Sequence, residues 1–333
     1  MRLLLFSCKP YDQKFFSDIN INFDFELVFL ETRLNAQTAA LAKEGDAVCA
    51  FVNDDLSAPV LKTLHQRGVR FVAMRCAGYN NVDLACAKEL AMTVVRVPAY
   101  SPHAVAEHSL GLMMALNRKL HRAHYRAKEF NFALDGLLGF DMYKKTAGVI
   151  GTGRIGEVLA RILVGMGCNV LAYDLNPNPE CEALGVRYVS LEDLFRQSDI
   201  ISLHCPLVSQ TYHLIDDAAF DLMREGVMLI NTSRGGLVDT KAAIKALKTG
   251  KLGALGLDVY EEEAGLFFED HSSRTILDDT FARLLTFPNV MITAHQGFFT
   301  REAVVNIVTT TLESTKGFQS GEIAAGNIVT APD

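Results

Sequence analysis

The sequence predicts an α/β protein of two domains, each built around a parallel β-sheet. Three observations lead to this prediction. The chain has 333 residues, more than the roughly 250 to 300 over which one hydrophobic core usually grows. Short apolar runs bounded by turn residues recur along it, as expected of buried parallel strands. Segments with helical spacing separate these runs, so the pattern predicts repeated βα units.

The first hundred residues predict a small α/β domain, with strands at 2–6, 47–52, 70–75 and 93–97 and helices between them. The opening run is basic and then apolar. Polar Ser7, Lys9 and Asp12 end it before the core of a signal peptide could form. We therefore interpret this run as a buried first strand.

A long helix and a more regular set of units follow the break at Pro98 and Pro102. Apolar residues at helical spacing predict the helix over 104–120. Strands are then expected at 147–150, 169–173, 200–203, 227–231, 254–257 and 290–293, and six parallel strands suit a doubly wound sheet. Ser190 and Asp239 should begin helices, and Gly250 should end one. The acidic stretch 261–279 predicts a surface loop.

Composition excludes several classes of partner. Hydrophobic residues make up 49% of the chain and charged residues 21%, as in ordinary globular proteins. A formal net charge of -7 argues against a nucleic-acid partner, because phosphate binding relies on clustered Lys and Arg. Since no run approaches the roughly 20 apolar residues of a membrane-spanning helix, we expect no membrane association.

The cysteine pattern predicts neither disulfide bonds nor a metal site. Seven cysteines is an odd number, and no two of them form a Cys-x-x-Cys pair. Reduced thiols fit the cytoplasm, so that is the expected location.

A glycine-rich turn predicts a dinucleotide site. Gly151, Gly153 and Gly156 fit the pattern G-x-G-x-x-G, which allows a tight turn, close approach to a pyrophosphate and helix packing. The pattern alone could be an ordinary turn, but a predicted strand precedes it and a predicted helix follows. Asp174, 18 residues after Gly156, suits the adenosine ribose hydroxyls and would repel a 2′-phosphate. We therefore predict NAD rather than NADP.

Polar residues stand at the carboxyl ends of four predicted strands, where ligands bind in open α/β sheets. His204 could instead be a hydrogen-bonded core histidine, and Asp258 could cap a turn. Arg234 lies in a glycine-rich segment where a guanidinium could grip a carboxylate through two hydrogen bonds. His295 is the best candidate acid/base, since imidazole titrates near neutral pH.

An acid/base histidine needs a carboxylate to orient and charge-balance its ring. The three consecutive glutamates at 261–263 are the candidates, and spacing alone does not select among them.

The sequence resembles the D-isomer-specific 2-hydroxyacid dehydrogenases over nearly its whole length. The resemblance is carried by Val149-Ile-Gly-Thr-Gly-Arg-Ile-Gly156, Leu229-Ile-Asn-Thr-Ser-Arg-Gly-Gly236, Gly256-Leu-Asp-Val-Tyr-Glu261 and Ala294-His295. The segments Ala77-Gly-Tyr-Asn-Asn-Val-Asp83, Val97-Pro-Ala-Tyr-Ser-Pro102 and Leu266-Phe-Phe-Glu-Asp270 are most similar to the D-lactate dehydrogenase branch.

The resemblance implies a Rossmann NAD-binding domain, 100–298, inserted into a flavodoxin-like substrate-binding domain formed by 1–99 and 299–333. It implies a catalytic set of Arg234, Glu263 and His295. The implied cofactor contacts are Gly151, Gly153, Arg154, Ile155, Gly156, Asp174, His204, Cys205, Pro206, Thr211, Thr232, Ser233, Arg234 and Asp258. The implied substrate contacts are Ala77, Gly78, Tyr100, Arg234, His295 and Phe299.

The activity implied by the resemblance is reversible reduction of pyruvate to D-lactate, with hydride from NADH and a proton from His295. A dehydrogenase for a larger branched-chain or aromatic 2-keto acid is the alternative enzyme. A dinucleotide-sensing protein without turnover is the alternative from another class. The resemblance also implies a homo-oligomer, a dimer or a tetramer.

Overall fold

A computed structural model describes residues 1–263 and 265–329. The strands, in chain order, are β1 (Arg2–Leu5), β2 (Glu26–Phe29), β3 (Asp46–Ala50), β4 (Phe71–Met74), β5 (Thr93–Val95), β6 (Thr146–Ile150), β7 (Asn169–Tyr173), β8 (Arg187–Tyr188), β9 (Ile200–Leu203), β10 (Val227–Asn231), β11 (Leu252–Leu257) and β12 (Val290–Ile292). The helices are α1 (Pro10–Asn20), α2 (Ala58–Gln66), α3 (Leu84–Glu89), α4 (Pro102–Asn117), α5 (Leu120–Lys128), α6 (Arg154–Gly165), α7 (Pro179–Ala183), α8 (Leu191–Gln197), α9 (Asp217–Leu222), α10 (Thr240–Thr249), α11 (Asp279–Leu285) and α12 (Arg301–Ser320). No helix in these ranges is long and apolar enough to cross a membrane.

The chain divides into two compact units. Met1–Ser101 and the segment that begins at Phe299 form the first, and Pro102–Phe298 form the second. Tyr100 and Ser101 thus lie in the first unit, and the division between the units falls two residues after the domain boundary predicted at 99/100. The division of roles between the units, with substrate binding in the first and cofactor binding in the second, stays a prediction.

The first unit is built on a five-stranded sheet with the order β2-β1-β3-β4-β5, in which every pairing is parallel. This is the flavodoxin-like order, with its switch point between β1 and β3. Alternate residues of the strands enter two separate cores, Leu4 on one face and Leu3 and Leu5 on the other. Helix α12 closes the second core through Val304 and Val308.

The second unit is built on a seven-stranded parallel sheet with the order β8-β7-β6-β9-β10-β11-β12. Counted within the unit, this is the doubly wound order 3-2-1-4-5-6 extended by one strand. Leu112 of α4 and Leu159 of α6 pack on one face, and Phe220 of α9 and Ala243 of α10 on the other. The strand order reverses between β6 and β9, and β6 is the strand that precedes the glycine turn.

The predicted strands are confirmed to within a few residues, but two strands escaped prediction. Both β2 and β8 lie at the edge of a sheet and are partly exposed, so they lack the apolar run that marks a buried strand. The second sheet therefore has seven strands rather than six. The predicted helix over 104–120 ends at Asn117, because Lys119 adopts a left-handed conformation (φ 50°) that begins α5.

The helix ends predicted at Ser190, Asp239 and Gly250 are confirmed. The hydroxyl of Ser190 accepts a hydrogen bond from the Asp193 amide, and Asp239 caps α10, which Gly250 ends with φ 81°. The acidic stretch 261–279 is only partly the surface loop that its charges predict. Phe267 within it is buried in the core of the second unit.

Candidate active site

The glycine turn after β6 has open space beside Gly153, whereas protein atoms lie close to Gly151 and Gly156. A Cβ on Gly156 would overlap the Gly151 carbonyl oxygen, and Gly151 itself has φ 93°. A Cβ on Gly153, by contrast, would meet no protein atom within 4 Å. Gly153 is also the N-cap of α6, and the first amides of a helix are free to bind an anion. This turn, with Arg154 and Ile155 following, fits the pyrophosphate of a dinucleotide.

Asp174 is fixed directly after β7, beside that turn. One carboxylate oxygen accepts hydrogen bonds from the Thr152 amide (2.7 Å) and hydroxyl (3.2 Å), and the other from the Asn176 amide (2.9 Å). Tyr188 donates to the Thr152 hydroxyl at 2.8 Å, so Thr152 is held as well. The carboxylate keeps acceptor capacity for ribose hydroxyls.

His204 follows β9 and is held by hydrogen bonds of its amide and of its ring, and its role as a cofactor contact stays a prediction. Its amide bonds to the Ile150 carbonyl (2.7 Å), and its Nε2 lies 2.8 Å from the Ser202 hydroxyl. Burial lowers the pKa of His204 to about 4, so the ring is neutral near pH 7. Burial also raises the pKa of the Cys205 thiol to about 11. The next residue, Pro206, accepts a hydrogen bond from the Thr211 hydroxyl at 2.7 Å.

Arg234 is presented by a tightly bonded loop after β10. Asn231, which is fully buried, donates to the Arg234 carbonyl (2.8 Å) and accepts from the Ser233 amide (3.1 Å). The Ser233 hydroxyl donates to the Cys205 carbonyl at 2.8 Å. Any side chain at Gly235 would overlap the Tyr260 carbonyl group, so this glycine lets the loop approach the segment after β11. Arg234 is half-buried, and its Nη1 donates to the Ser233 carbonyl at 2.7 Å. Binding of an anionic ligand by the rest of the guanidinium stays a prediction.

Asp258 follows β11 and organises the turn after β12. It is 2% exposed, and its carboxylate accepts hydrogen bonds from the Thr293 hydroxyl (2.7 Å), the Gln296 amide (2.8 Å) and the Gly297 amide (2.7 Å). Burial alone would raise the pKa of Asp258, but the contact with His108 and the hydrogen bonds from Thr293 and the Gly297 amide outweigh it and lower the pKa. The buried group is therefore an anion.

His295 is held by that turn in an unusual conformation. Ala294 (φ 27°) and His295 (φ 57°) both have positive φ, which side-chain-bearing residues adopt rarely and at an energetic cost. The His295 amide donates to the Asp258 carbonyl at 2.6 Å. The His295 Nδ1 lies 3.0 Å from Glu263 Oε1, and the two side chains are 20% and 22% exposed. Such a pair can hold one ring nitrogen while the other exchanges a proton.

The three consecutive glutamates have different surroundings. Glu263 contacts His295 and also accepts a hydrogen bond from the Tyr260 amide (3.1 Å). Glu261 lies 2.6 Å from His213 Nε2 and accepts two hydrogen bonds from Thr240. Glu262 is exposed. Glu263 is therefore the carboxylate that can orient His295.

The predicted substrate contacts Ala77, Gly78, Tyr100 and Phe299 all lie in the first unit. The Ala77 carbonyl accepts from Arg96 (3.1 Å), and the Gly78 carbonyl accepts from the Cys76 thiol (3.1 Å). Asn306 donates to the Tyr100 carbonyl at 2.7 Å. Phe299 is 49% exposed and packs edge-on against Tyr11 at 4.7 Å. A role for these residues in substrate binding stays a prediction.

Two supporting residues escaped the sequence analysis. His108 on α4 lies 2.9 Å from the Thr293 hydroxyl, and the fully buried Ser109 lies 2.8 Å from the Thr232 hydroxyl. Both occur inside an apolar helix far along the chain from their partners, so no local pattern marks them.

Comparisons with known proteins agree on one family. The family model described as "D-isomer specific 2-hydroxyacid dehydrogenase, NAD binding domain" matches residues 110–297. A D-lactate dehydrogenase of Escherichia coli strain K12 is 53% identical over 329 residues, which cover 99% of this chain and 100% of the relative. The solved D-lactate dehydrogenase of Salmonella is 54% identical with a TM-score of 0.88, covering 98% of this chain and 99% of the other. The solved pyruvate reductase of Chlamydomonas reinhardtii is 45% identical with a TM-score of 0.93, covering 98% of both chains.

Proposed function

The chain belongs to the family of D-isomer-specific 2-hydroxyacid dehydrogenases, and from this premise we propose that it reduces pyruvate to D-lactate with NADH. The observation that carries the proposal is the contact of Glu263 with His295 at the sheet edge that also presents Arg234. A carboxylate-oriented imidazole and a guanidinium at the same sheet edge are what reduction of a 2-keto acid requires, namely a proton donor and an anchor for the substrate carboxylate.

The roles of the three side chains follow from their chemistry. When bound, NADH supplies the hydride that reduces the keto carbon. Arg234 binds the substrate carboxylate through two parallel hydrogen bonds, which fix the orientation of the keto group. His295, as imidazolium, donates the Nε2 proton to the carbonyl oxygen, and the neutral ring accepts it back in lactate oxidation. Glu263 accepts from Nδ1–H and stabilises the imidazolium charge.

For the cofactor, we propose NAD rather than NADP. The open space at Gly153 and the start of α6 would hold the pyrophosphate. Asp174 would accept hydrogen bonds from the adenosine ribose and repel a 2′-phosphate, while Leu175-Asn176-Pro177 offers no arginine to receive one.

The substrate preference is tested by following NADH oxidation with a panel of 2-keto acids that includes pyruvate and phenylpyruvate, and by measuring the chirality of the product. We expect the highest kcat/KM for pyruvate and a D-configured product. A higher kcat/KM for phenylpyruvate would favour the larger-substrate alternative. Tight NADH binding without turnover of any 2-keto acid would instead identify a dinucleotide sensor.

We further propose that the protein is a homo-oligomer assembled through the segment 120–143. This segment exposes a set of large apolar side chains, namely Leu120, Tyr125, Phe130, Phe132, Leu134, Leu138 and Tyr143, which are between 55% and 88% exposed. Large apolar side chains left exposed in one short segment are characteristic of a protein interface. Light scattering after size-exclusion chromatography should give a mass at least twice 36.6 kDa.

The expected location is the cytoplasm, where the seven cysteines would stay reduced.

A further inference from the structure

A second imidazole and carboxylate meet close to the pair that the proposed mechanism uses. His108, on the second turn of α4, places Nε2 3.3 Å from the Asp258 carboxylate and 2.9 Å from the Thr293 hydroxyl. Asp258 is 2% exposed and is held in the charged form by its hydrogen bonds. Neither His108 nor Thr293 has a role in the proposed reaction.

The donors and acceptors available determine which group donates in the contact between His108 and Thr293. The Thr293 hydroxyl has one proton, and it donates that proton to Asp258 Oδ1 at 2.7 Å, since a carboxylate can only accept. The same hydroxyl oxygen must therefore accept from His108. The Nε2 of His108 carries a proton and acts as the donor at the start of a chain from His108 through Thr293 to Asp258.

Asp258 in turn determines the turn that presents His295. Its carboxylate binds Thr293, Gln296 and Gly297, and its carbonyl binds the His295 amide. These bonds bracket both residues with positive φ, so they offset the cost of that conformation. Gly297 has no room for a side chain on this side, because a Cβ would lie 2.8 Å from Asp258 Oδ2. The orientation of the proposed proton donor thus depends on where the Asp258 carboxylate is held.

We propose that His108 is a positioning residue for His295, acting through Thr293 and Asp258. Without its donor, the Thr293 hydroxyl loses one partner and the buried Asp258 anion loses a stabilising contact. Small shifts of the turn then move His295 away from the reacting oxygen, and displacements near 1 Å at a catalytic group can cost on the order of 100-fold in rate. The inference rests on the proposed function, because it assigns His108 to the reaction of His295.

The test compares three variants of the full-length protein. His108→Leu removes the donor, whereas His108→Gln keeps an N–H group at a similar reach. The matched control is Asn117→Ala on the same helix, because the buried Asn117 side chain bonds to the Phe140 backbone, at 2.7 and 2.8 Å, and not to the turn that presents His295. For each protein, kcat and KM are measured with the 2-keto acid that the wild type reduces best. NADH affinity is measured by fluorescence titration, and stability by thermal unfolding.

We expect His108→Leu to lower kcat about tenfold or more, with KM and the NADH Kd within about twofold of wild type. His108→Gln should recover most of kcat, because an amide N–H can replace the Nε2 donor. Asn117→Ala should lower the unfolding temperature while kcat of the folded protein is retained.

Four results would overturn the inference: a His108→Leu kcat within about twofold of wild type, no recovery in His108→Gln, a parallel rise of KM and Kd, or an equal loss of kcat in Asn117→Ala. A wild type that reduces no 2-keto acid would instead contradict the proposed function itself. The two failures are therefore distinguishable.

Discussion

Glu263 Oε1 lies 3.0 Å from His295 Nδ1, and both side chains are about four-fifths buried. The contact joins a loop after β11 to a turn after β12 across 32 positions of the sequence. It leaves the other ring nitrogen of His295 available for proton exchange, and it puts a negative charge where an imidazolium would be stabilised.

Replacing Glu263 by Gln should therefore impair turnover far more than binding. Gln keeps the size of the side chain but removes the charge that stabilises the protonated ring, so we expect kcat for pyruvate reduction to fall roughly 10- to 1,000-fold. Steady-state kinetics in both directions would measure this. Glu262→Gln is the matched control, since Glu262 is exposed and adjacent in sequence. Equal activities of the two variants would remove Glu263 from the mechanism.

Arg234→Lys should be severely impaired although it keeps the charge. An ammonium group cannot reproduce the planar two-point grip of a guanidinium on a carboxylate, so KM for pyruvate should rise and kcat should fall. The expected loss in kcat/KM is about 100-fold, near the 3 kcal/mol that a strong charge-assisted contact contributes. NADH affinity, measured separately, should change much less. Wild-type kinetics in the lysine variant would show that Arg234 does not bind the substrate carboxylate through two hydrogen bonds.

Asp174→Ala should change the choice of cofactor. It removes both the ribose acceptor and the charge that repels a 2′-phosphate, so NADH should bind roughly tenfold or more weakly and NADPH relatively better. Fluorescence titration with both nucleotides measures the ratio of the two Kd values. Asp193→Ala, which removes a carboxylate of α8 that accepts a hydrogen bond from the Ser190 hydroxyl, serves as the control. An unchanged ratio in Asp174→Ala would exclude this carboxylate from cofactor selection.

Alanine substitutions at two glycines of the same turn should affect different properties, NADH binding at Gly153 and stability at Gly156. A methyl group at Gly153 meets no protein atom within 4 Å, so Gly153→Ala should fold with near wild-type stability but bind NADH at least about tenfold more weakly. At Gly156 the methyl group would overlap the Gly151 carbonyl, so Gly156→Ala should lose stability by about 1 to 3 kcal/mol. Urea unfolding and NADH titration of both variants provide the measurements. Full NADH affinity in Gly153→Ala would place the pyrophosphate elsewhere.

His204 should make stability depend on pH in the acid range. Burial lowers its pKa from 6.5 to about 4 in the folded protein, so below pH 6.5 the unfolded chain takes up a proton that the folded protein does not. The free energy of unfolding should therefore fall as pH drops from about 6.5 towards 4, by at most about 1.4 kcal/mol per pH unit from this group. Urea titrations of wild type and His204→Gln at several pH values isolate the effect. Parallel curves for the two proteins would show that His204 titrates normally.

The sequence by itself determined the parallel strands, the glycine turn and the helix caps, because each depends on residues close together in the chain. A buried parallel strand needs a continuous apolar run, so β6, β9 and β10 were recognisable, whereas the edge strands β2 and β8 were not. Asp174, Arg234 and His295 were candidates for the same reason, since each follows a strand whose end could be located.

Tertiary structure decided which of these residues meet. Nothing in the spacing of residues 261–263 distinguishes the three glutamates, and the resemblance to a family, not the chemistry of the residues, pointed to Glu263. The fold separates them physically, because the chain after β11 turns Glu261 towards His213 and Glu263 towards His295. The bonds of His108 to Thr293 and of Asp258 to the following turn are likewise set by the fold, which brings α4 and the carboxyl ends of β11 and β12 together. Such contacts depend on side-chain directions in three dimensions, which a one-dimensional pattern does not contain.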